Sequence, residues 1–200
     1  MPFMPAKTST MAALDVAVPA DAPPRDRILG AAHCLFYSQG VRATGIDRLI
    51  AEAGVTKVTF YRQFPSKDAL ILAFLDLRHQ RWMGWFVDAL ERHGGGADAI
   101  VPALHEWLSS PDYRGCAFIN TVGELGSELP AVVDMAQRHK QDMTDAIAAV
   151  LPPGRRREAQ ARAIALAVDG AIVQAQRQLH ADDALESLSL LLKAVTQGGT

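Results

Sequence analysis

TGIDRLIAEAGVTKVTFYRQFPSK, residues 44–67, decides the fold. In Ile46, Leu49, Ile50 and Ala53 the apolar side chains recur at i, i+3, i+4 and i+7, the spacing of one buried helical face. Thr44 precedes that run as an N-cap with Asp47 in the first turn. Gly54 ends the helix, because glycine takes a positive φ without a Cβ clash. Thr56 then caps a second short helix, from Lys57 to about Gln63, in which Phe60 and Phe64 stack at i, i+4. Pro65 stops it and Ser66 caps the next. Helix, tight glycine turn and short second helix make a helix-turn-helix, the arrangement that lays a recognition helix in the major groove.

With Phe60 and Phe64 turned inward, Lys57, Val58, Thr59, Tyr61, Arg62 and Gln63 are left on or near the outer side. A cation, a hydroxyl, a phenol and a guanidinium on one short surface suit phosphate oxygens and base edges. A merely solvated helix carries charge too, so composition alone leaves both readings open.

The order of residues adds more. The first helix, RDRILGAAHCLFYSQG, and the following VRATGIDRLIAEAGVTKVTFYRQFPSKDALI resemble the N-terminal domain of the TetR family of transcriptional regulators. The matching positions are Phe36, Gly40, Thr44, Ala53-Gly54-Val55, Tyr61 and Phe64-Pro65-Ser66-Lys67. Arg62 and Gln63 stand where the family often has aromatic residues or histidine, and Val58 where a small residue is common; these departures bear on which operator is read. The resemblance implies a double-stranded DNA operator as partner. Thr44 would offer its hydroxyl and backbone N–H to a phosphate. Lys57, Val58 and Thr59 would meet base edges, Val58 through an apolar group such as a thymine methyl. Tyr61 and Lys67 would clamp phosphates, and Arg62 would serve a phosphate or a base. The alternative for Tyr61 is a half-buried packing role.

Composition agrees with an all-α chain. Of 200 residues 49% are hydrophobic and only 6% aromatic, and no stretch alternates as strands do. The expected architecture is a three-helix DNA-binding domain at 25–70, a larger helical domain at 71–200 for effector binding and dimerisation, and about nine helices in all. Residues 1–24 read as a disordered arm without the apolar core of a signal peptide. Residues 25–70 hold seven Lys/Arg against four Asp/Glu, whereas 71–200 hold twelve against sixteen. A basic small domain beside an acidic larger one suits a partner with phosphates at one end. Cys34 and Cys116 have no metal-ligand or disulfide spacing. Cys34 reads as a buried thiol beside Leu35 and Phe36, and Cys116 as a core thiol, with redox sensitivity as its alternative. No apolar run approaches a membrane span, so the protein is expected to be cytoplasmic, with no membrane partner, metal or cofactor.

Further along, helices are expected at 66–93, 97–109, from 114 to about 126, 131–151, about 155–180 and 182–197. The last two carry small residues (Ala161, Ala165, Gly170, Ala175) and a leucine face (Leu185, Leu188, Leu191, Leu192). Such surface closes the chain's own core or meets a second copy; the resemblance implies a homodimer through these two helices. Trp82, Trp85 and Phe86 lie at i, i+3, i+4 in the long helix, with Trp107, Phe118, Asn120, Glu124 and His139 on later segments. Aromatic residues so spaced usually form plain core. The resemblance implies a cavity here for a small-molecule effector of unknown identity, and these eight residues are its candidate lining.

Two other classes compete. Cys116 with His105 or His139, or Glu124 with Glu128, can be assembled into a catalytic site, yet no mechanism-bearing motif supports an enzyme. A helix-turn-helix kept only as a scaffold for protein contacts is the third.

Overall fold

The computed structural model describes residues 18–177 and 181–197; the expected arm falls mostly outside them, as does the end of the helix expected at 155–180. Among the described residues there are nine α-helices and no strand: α1 (Pro24–Gln39), α2 (Ile46–Ala53), α3 (Lys57–Gln63), α4 (Lys67–Arg92), α5 (Ile100–Leu108), α6 (Ala117–Leu125), α7 (Pro130–Val150), α8 (Arg157–Arg177) and α9 (Asp182–Gln197). The chain divides into two compact units. One holds 18–81 with 117–137, and the other holds 82–116, 138–177 and 181–197. The unit containing the helix-turn-helix thus extends past residue 70 and takes in α6.

In the first unit, Pro24 opens α1 where its missing N–H costs nothing. Ile28, Ala32, Leu35 and Phe36 are its buried stripe, as their spacing predicts. Gly40 ends it at φ +87°, ψ 156°, a region open essentially only to glycine. Thr44 is not the cap of α2. Gly45 occupies that position without a side-chain bond, and the Thr44 hydroxyl turns inward to donate to the Gly40 carbonyl at 2.7 Å. Gly54 adopts the left-handed conformation at φ 60° and α2 stops there. Thr56 caps α3 by accepting from the Thr59 N–H at 3.2 Å, and the Ser66 hydroxyl accepts from Ala69 at 3.0 Å to start α4. Cys34 is exposed, contrary to expectation: the buried stripe of α1 runs through its neighbours and leaves position 34 on the outer side.

In the second unit, α8 and α9 pack together through Ala161, Ile164, Val168 and Ala171 against Leu185, Leu188 and Leu192, all buried. Residues 97–99 form a single 3₁₀ turn ahead of α5 rather than its first α-helical turn. The helix expected from Arg114 begins only at Ala117. Gly115 has φ +85°, outside the helical region, and a Cβ there would lie 2.1 Å from the Gln176 side chain, so the position suits glycine. Tyr113 anchors this turn, its hydroxyl donating to the Ile172 carbonyl at 2.6 Å. Cys116 is buried. Among the described residues no helix is long and apolar enough to cross a membrane.

Candidate nucleic-acid interface

The seven residues of α3 are divided by their helical spacing into an anchor and a surface. Phe60 is fully buried and Phe64 nearly so, with the Arg25 guanidinium 4.5 Å over the Phe64 ring. Lys57, Val58, Tyr61 and Arg62 are exposed, while Thr59 and Gln63 are half-buried. Val58 is 78% exposed, an apolar side chain held in water with no packing reason for it. Tyr61 is 40% exposed and lies edge-on to Phe60 at 5.4 Å, so its ring is braced on the anchor. Thr59 is partly committed, because its hydroxyl accepts from that of Thr56 at 2.9 Å. No acidic side chain stands on α3 to repel a phosphate.

Of the remaining candidates, Thr44 lies on the turn between α1 and α2, and Lys67 opens α4. Thr44 is fully buried, so its hydroxyl does not face outward as expected. Lys67 is half-buried and its ammonium donates to the Arg42 carbonyl at 3.4 Å. Burial pushes Lys67 below the usual lysine range, against the opposing pull of Glu124 and Asp68.

That turn is gripped from α6. The backbone N–H groups of Val41 and Arg42 donate to the two carboxylate oxygens of Glu124, at 3.3 and 2.7 Å. The Arg42 guanidinium answers by donating to the Glu124 carbonyl and to the Glu128 carboxylate at 2.8 Å. Any Cβ at Gly40 would sit 2.8 Å from the same Glu124 oxygen, so the glycine serves both the backbone angle and the carboxylate. Glu124 was expected to face a ligand; instead both its oxygens hold the base of the recognition unit.

A second polar contact joins α1 to α4. Arg78 is 3% exposed, lies 4.0 Å over the Tyr37 ring and donates to the His33 ring nitrogen at 3.3 Å. A guanidinium has no acceptor, so His33 must be neutral at that nitrogen. Burial, and then the charges of Arg78 and Arg81, push His33 down to about 3. Neither Glu124 nor Arg78 carried a local signal in these roles, since their partners are 82 or 83 and 45 residues away.

The expected ligand-facing residues divide between the two units. Phe118, Asn120 and Glu124 stand on α6 in the first; Trp82, Trp85, Phe86, Trp107 and His139 gather in the second. There Trp82 stacks on Phe86 at 4.7 Å and 23°, and meets Trp107 and His139 edge-on at 5.4 and 5.1 Å. All five side chains are at most 3% exposed. The indole N–H groups of Trp82 and Trp85 are buried without a hydrogen-bond partner among the described residues. Such a donor costs about 1–3 kcal/mol when left unmade.

Comparison with known proteins accords with this architecture. Residues 28–74 match the family described as bacterial regulatory proteins, tetR family. An uncharacterised helix-turn-helix transcriptional regulator from the lacX 3′ region of Lactococcus lactis subsp. lactis is 27% identical over 108 residues, 52% of this chain and 55% of that protein. The chain therefore spans about half the length of this curated relative. The crystal structure of SCO4454, a TetR-family transcriptional regulator from Streptomyces coelicolor, superposes with a TM-score of 0.74 at 31% identity, over 86% of this chain and 96% of that one. A cysteine mutant of the TetR family regulator CifR, complexed with 26 bp double-strand operator DNA, shares the fold at a TM-score of 0.74 and 19% identity, over 88% and 99% of the two chains. An inward Phe60–Phe64 anchor, an outward cationic face and a relative at this identity and coverage lead to one conclusion: the chain belongs to the TetR family of helix-turn-helix, DNA-binding transcriptional regulators.

Proposed function

We propose that the protein is a ligand-responsive repressor that binds a palindromic operator as a homodimer in the cytoplasm. The observation that carries the reading is α3, a braced helix that exposes Lys57, Val58, Tyr61 and Arg62 without one acidic neighbour on it. Lys57, Val58 and Thr59 meet base edges, whereas Tyr61, Arg62 and Lys67 take phosphates. Thr44 contributes by fixing the turn from which α2 starts, its hydroxyl being committed to Gly40. The operator-bound state of CifR supports the DNA partner by analogy of fold.

Dimerisation is supported by apolar side chains left outward on the last two helices. Leu166 and Val173 on α8 are 76% and 39% exposed, and Leu190 and Leu191 on α9 are 64% and 51% exposed. A second copy covers such a surface by the same residues, giving two recognition helices roughly 34–36 Å apart on one DNA face. The effector binds in the unit that holds Trp82, Trp85, Phe86, Trp107 and His139. It acts only as far as it prefers one spacing of the two heads over the other.

Selection of random duplex DNA on the purified full chain, at near-physiological salt and read by sequencing, tests the reading. An enriched inverted repeat is the expected result. A folded protein that enriches no sequence, alone or with cell extract added, sinks it.

A further inference from the structure

We propose that the cluster of Trp82, Trp85, Phe86, Trp107 and His139 binds a neutral aromatic carbonyl compound, whose oxygen accepts from the Trp82 and Trp85 indole N–H groups. The proposal rests on the effector reading above and gives that effector a chemical class.

Two features of the cluster point there. The first is the pair of donors. Trp82 and Trp85 are 2% and 1% exposed, and neither N–H finds an acceptor among the described residues. One turn further along the same helix, Phe86 fills a comparable buried position with a ring that has no polar atom. Indoles at 82 and 85 therefore bring donors that packing does not require. Two of them three residues apart on α4, with ring centroids 5.9 Å from each other, are near enough to serve one acceptor group. The second is the set of surrounding rings. Stacked, edge-on and tilted partners at 4.7 to 6.3 Å present faces and edges suited to a flat aromatic guest. The two indole N–H groups, set among apolar rings, select a guest that offers an acceptor. Burial of an ion without a counter-charge is costly, so the guest is neutral.

The test compares two probes of nearly the same shape: 2-acetonaphthone, which carries a carbonyl, and 2-ethylnaphthalene, which does not. Equilibrium dialysis against the full-length protein measures both affinities. The ketone is expected to bind at least about tenfold more tightly, a difference of about 1.4 kcal/mol. In the Trp82→Phe/Trp85→Phe variant, which keeps aromatic rings and loses both donors, the ratio should fall towards one. The single variants, Trp82→Phe and Trp85→Phe, should each lose part of the ratio, and they supply the readout if the double variant fails to fold. Equal affinities in the wild-type protein, an unchanged ratio in the variants, or no binding of either probe up to its solubility limit overturns the proposal. Operator binding is measured separately. A ketone that binds with the expected ratio and leaves operator affinity unchanged upholds this site and removes ligand response from the proposed function.

Discussion

The two units use their buried aromatic residues in opposite ways. In the recognition unit Phe36, Phe60, Phe64 and Phe74 are plain rings with no polar atom to satisfy; His33 pairs with Arg78 and Thr44 with Gly40, while Arg27 Nε is buried without a partner among the described residues. In the other unit Trp82 and Trp85 bury two donors that the described residues leave unpaired. A unit whose task lies on its surface gains from rings that carry no polar atom. Unpartnered indole donors in the other unit accord with the effector site proposed for it.

This contrast can be broken or sharpened by substitution. The largest effect is expected at the anchor of α3. Phe60→Ala should lower stability by about 3–5 kcal/mol in urea unfolding, because a fully buried ring leaves a cavity. Val58→Ala, at a 78% exposed position on the same helix, should leave stability within about 0.5 kcal/mol. Next comes the surface itself. Lys57→Ala combined with Tyr61→Ala should weaken operator binding by about 2–4 kcal/mol in anisotropy titrations, with the melting temperature nearly unchanged. If binding persists, α3 is scaffold rather than reader. Glu124→Ala removes charge-assisted bonds worth roughly 1.5–3 kcal/mol in all. It should reduce both stability and operator affinity, although Glu124 stands on α6 and not on the reading helix.

Acid probes the paired interior. The unfolded chain protonates His33 near the ordinary imidazole value of 6.5, whereas the folded chain does so only near 3. Between these values the unfolded state holds more protons, so stability present above about pH 6.5 is lost as pH falls towards 3. The slope from this one group is at most about 1.4 kcal/mol per pH unit. His33→Gln, which keeps an acceptor for Arg78 and cannot protonate, should flatten that slope in unfolding curves taken from pH 7 to 5. A small effect is also expected in the other unit. Trp85→Phe should change stability by less than about 1 kcal/mol, because the volume lost is offset by removal of an unpaired donor. A loss of several kcal/mol there would show that the indole N–H is satisfied after all, and the contrast would dissolve.

What was legible in the sequence follows the range of the forces involved. The helix-turn-helix was readable because Phe60, Phe64, Gly54, Thr56 and Pro65 act within a turn or two of themselves. Thr44 was misread as a cap because its hydroxyl has a competing acceptor, the Gly40 carbonyl, four residues back across the turn. The late start of α6 lies in the positive φ at Gly115, which the sequence does not specify because glycine takes either sign. Cys34 has apolar neighbours in the chain, but its own angle on α1 turns it outward. Glu124 attracted attention as a polar residue among apolar ones, but which unit it belongs to is a tertiary fact. Sequence spacing brought Trp82, Trp85 and Phe86 together correctly; that two of their polar atoms lack partners was visible only in the packed structure.

The grip of Glu124 on Val41 and Arg42 also bears on how this protein can be taken apart. The compact unit that holds the helix-turn-helix is discontinuous, 18–81 with 117–137. A chimaera that grafts residues 25–70 onto another sensor would carry the recognition helix and leave behind the carboxylate that holds its base. The exchangeable part is therefore the head together with α6, and a splice that moves both should keep operator affinity where a cut at residue 70 forfeits it.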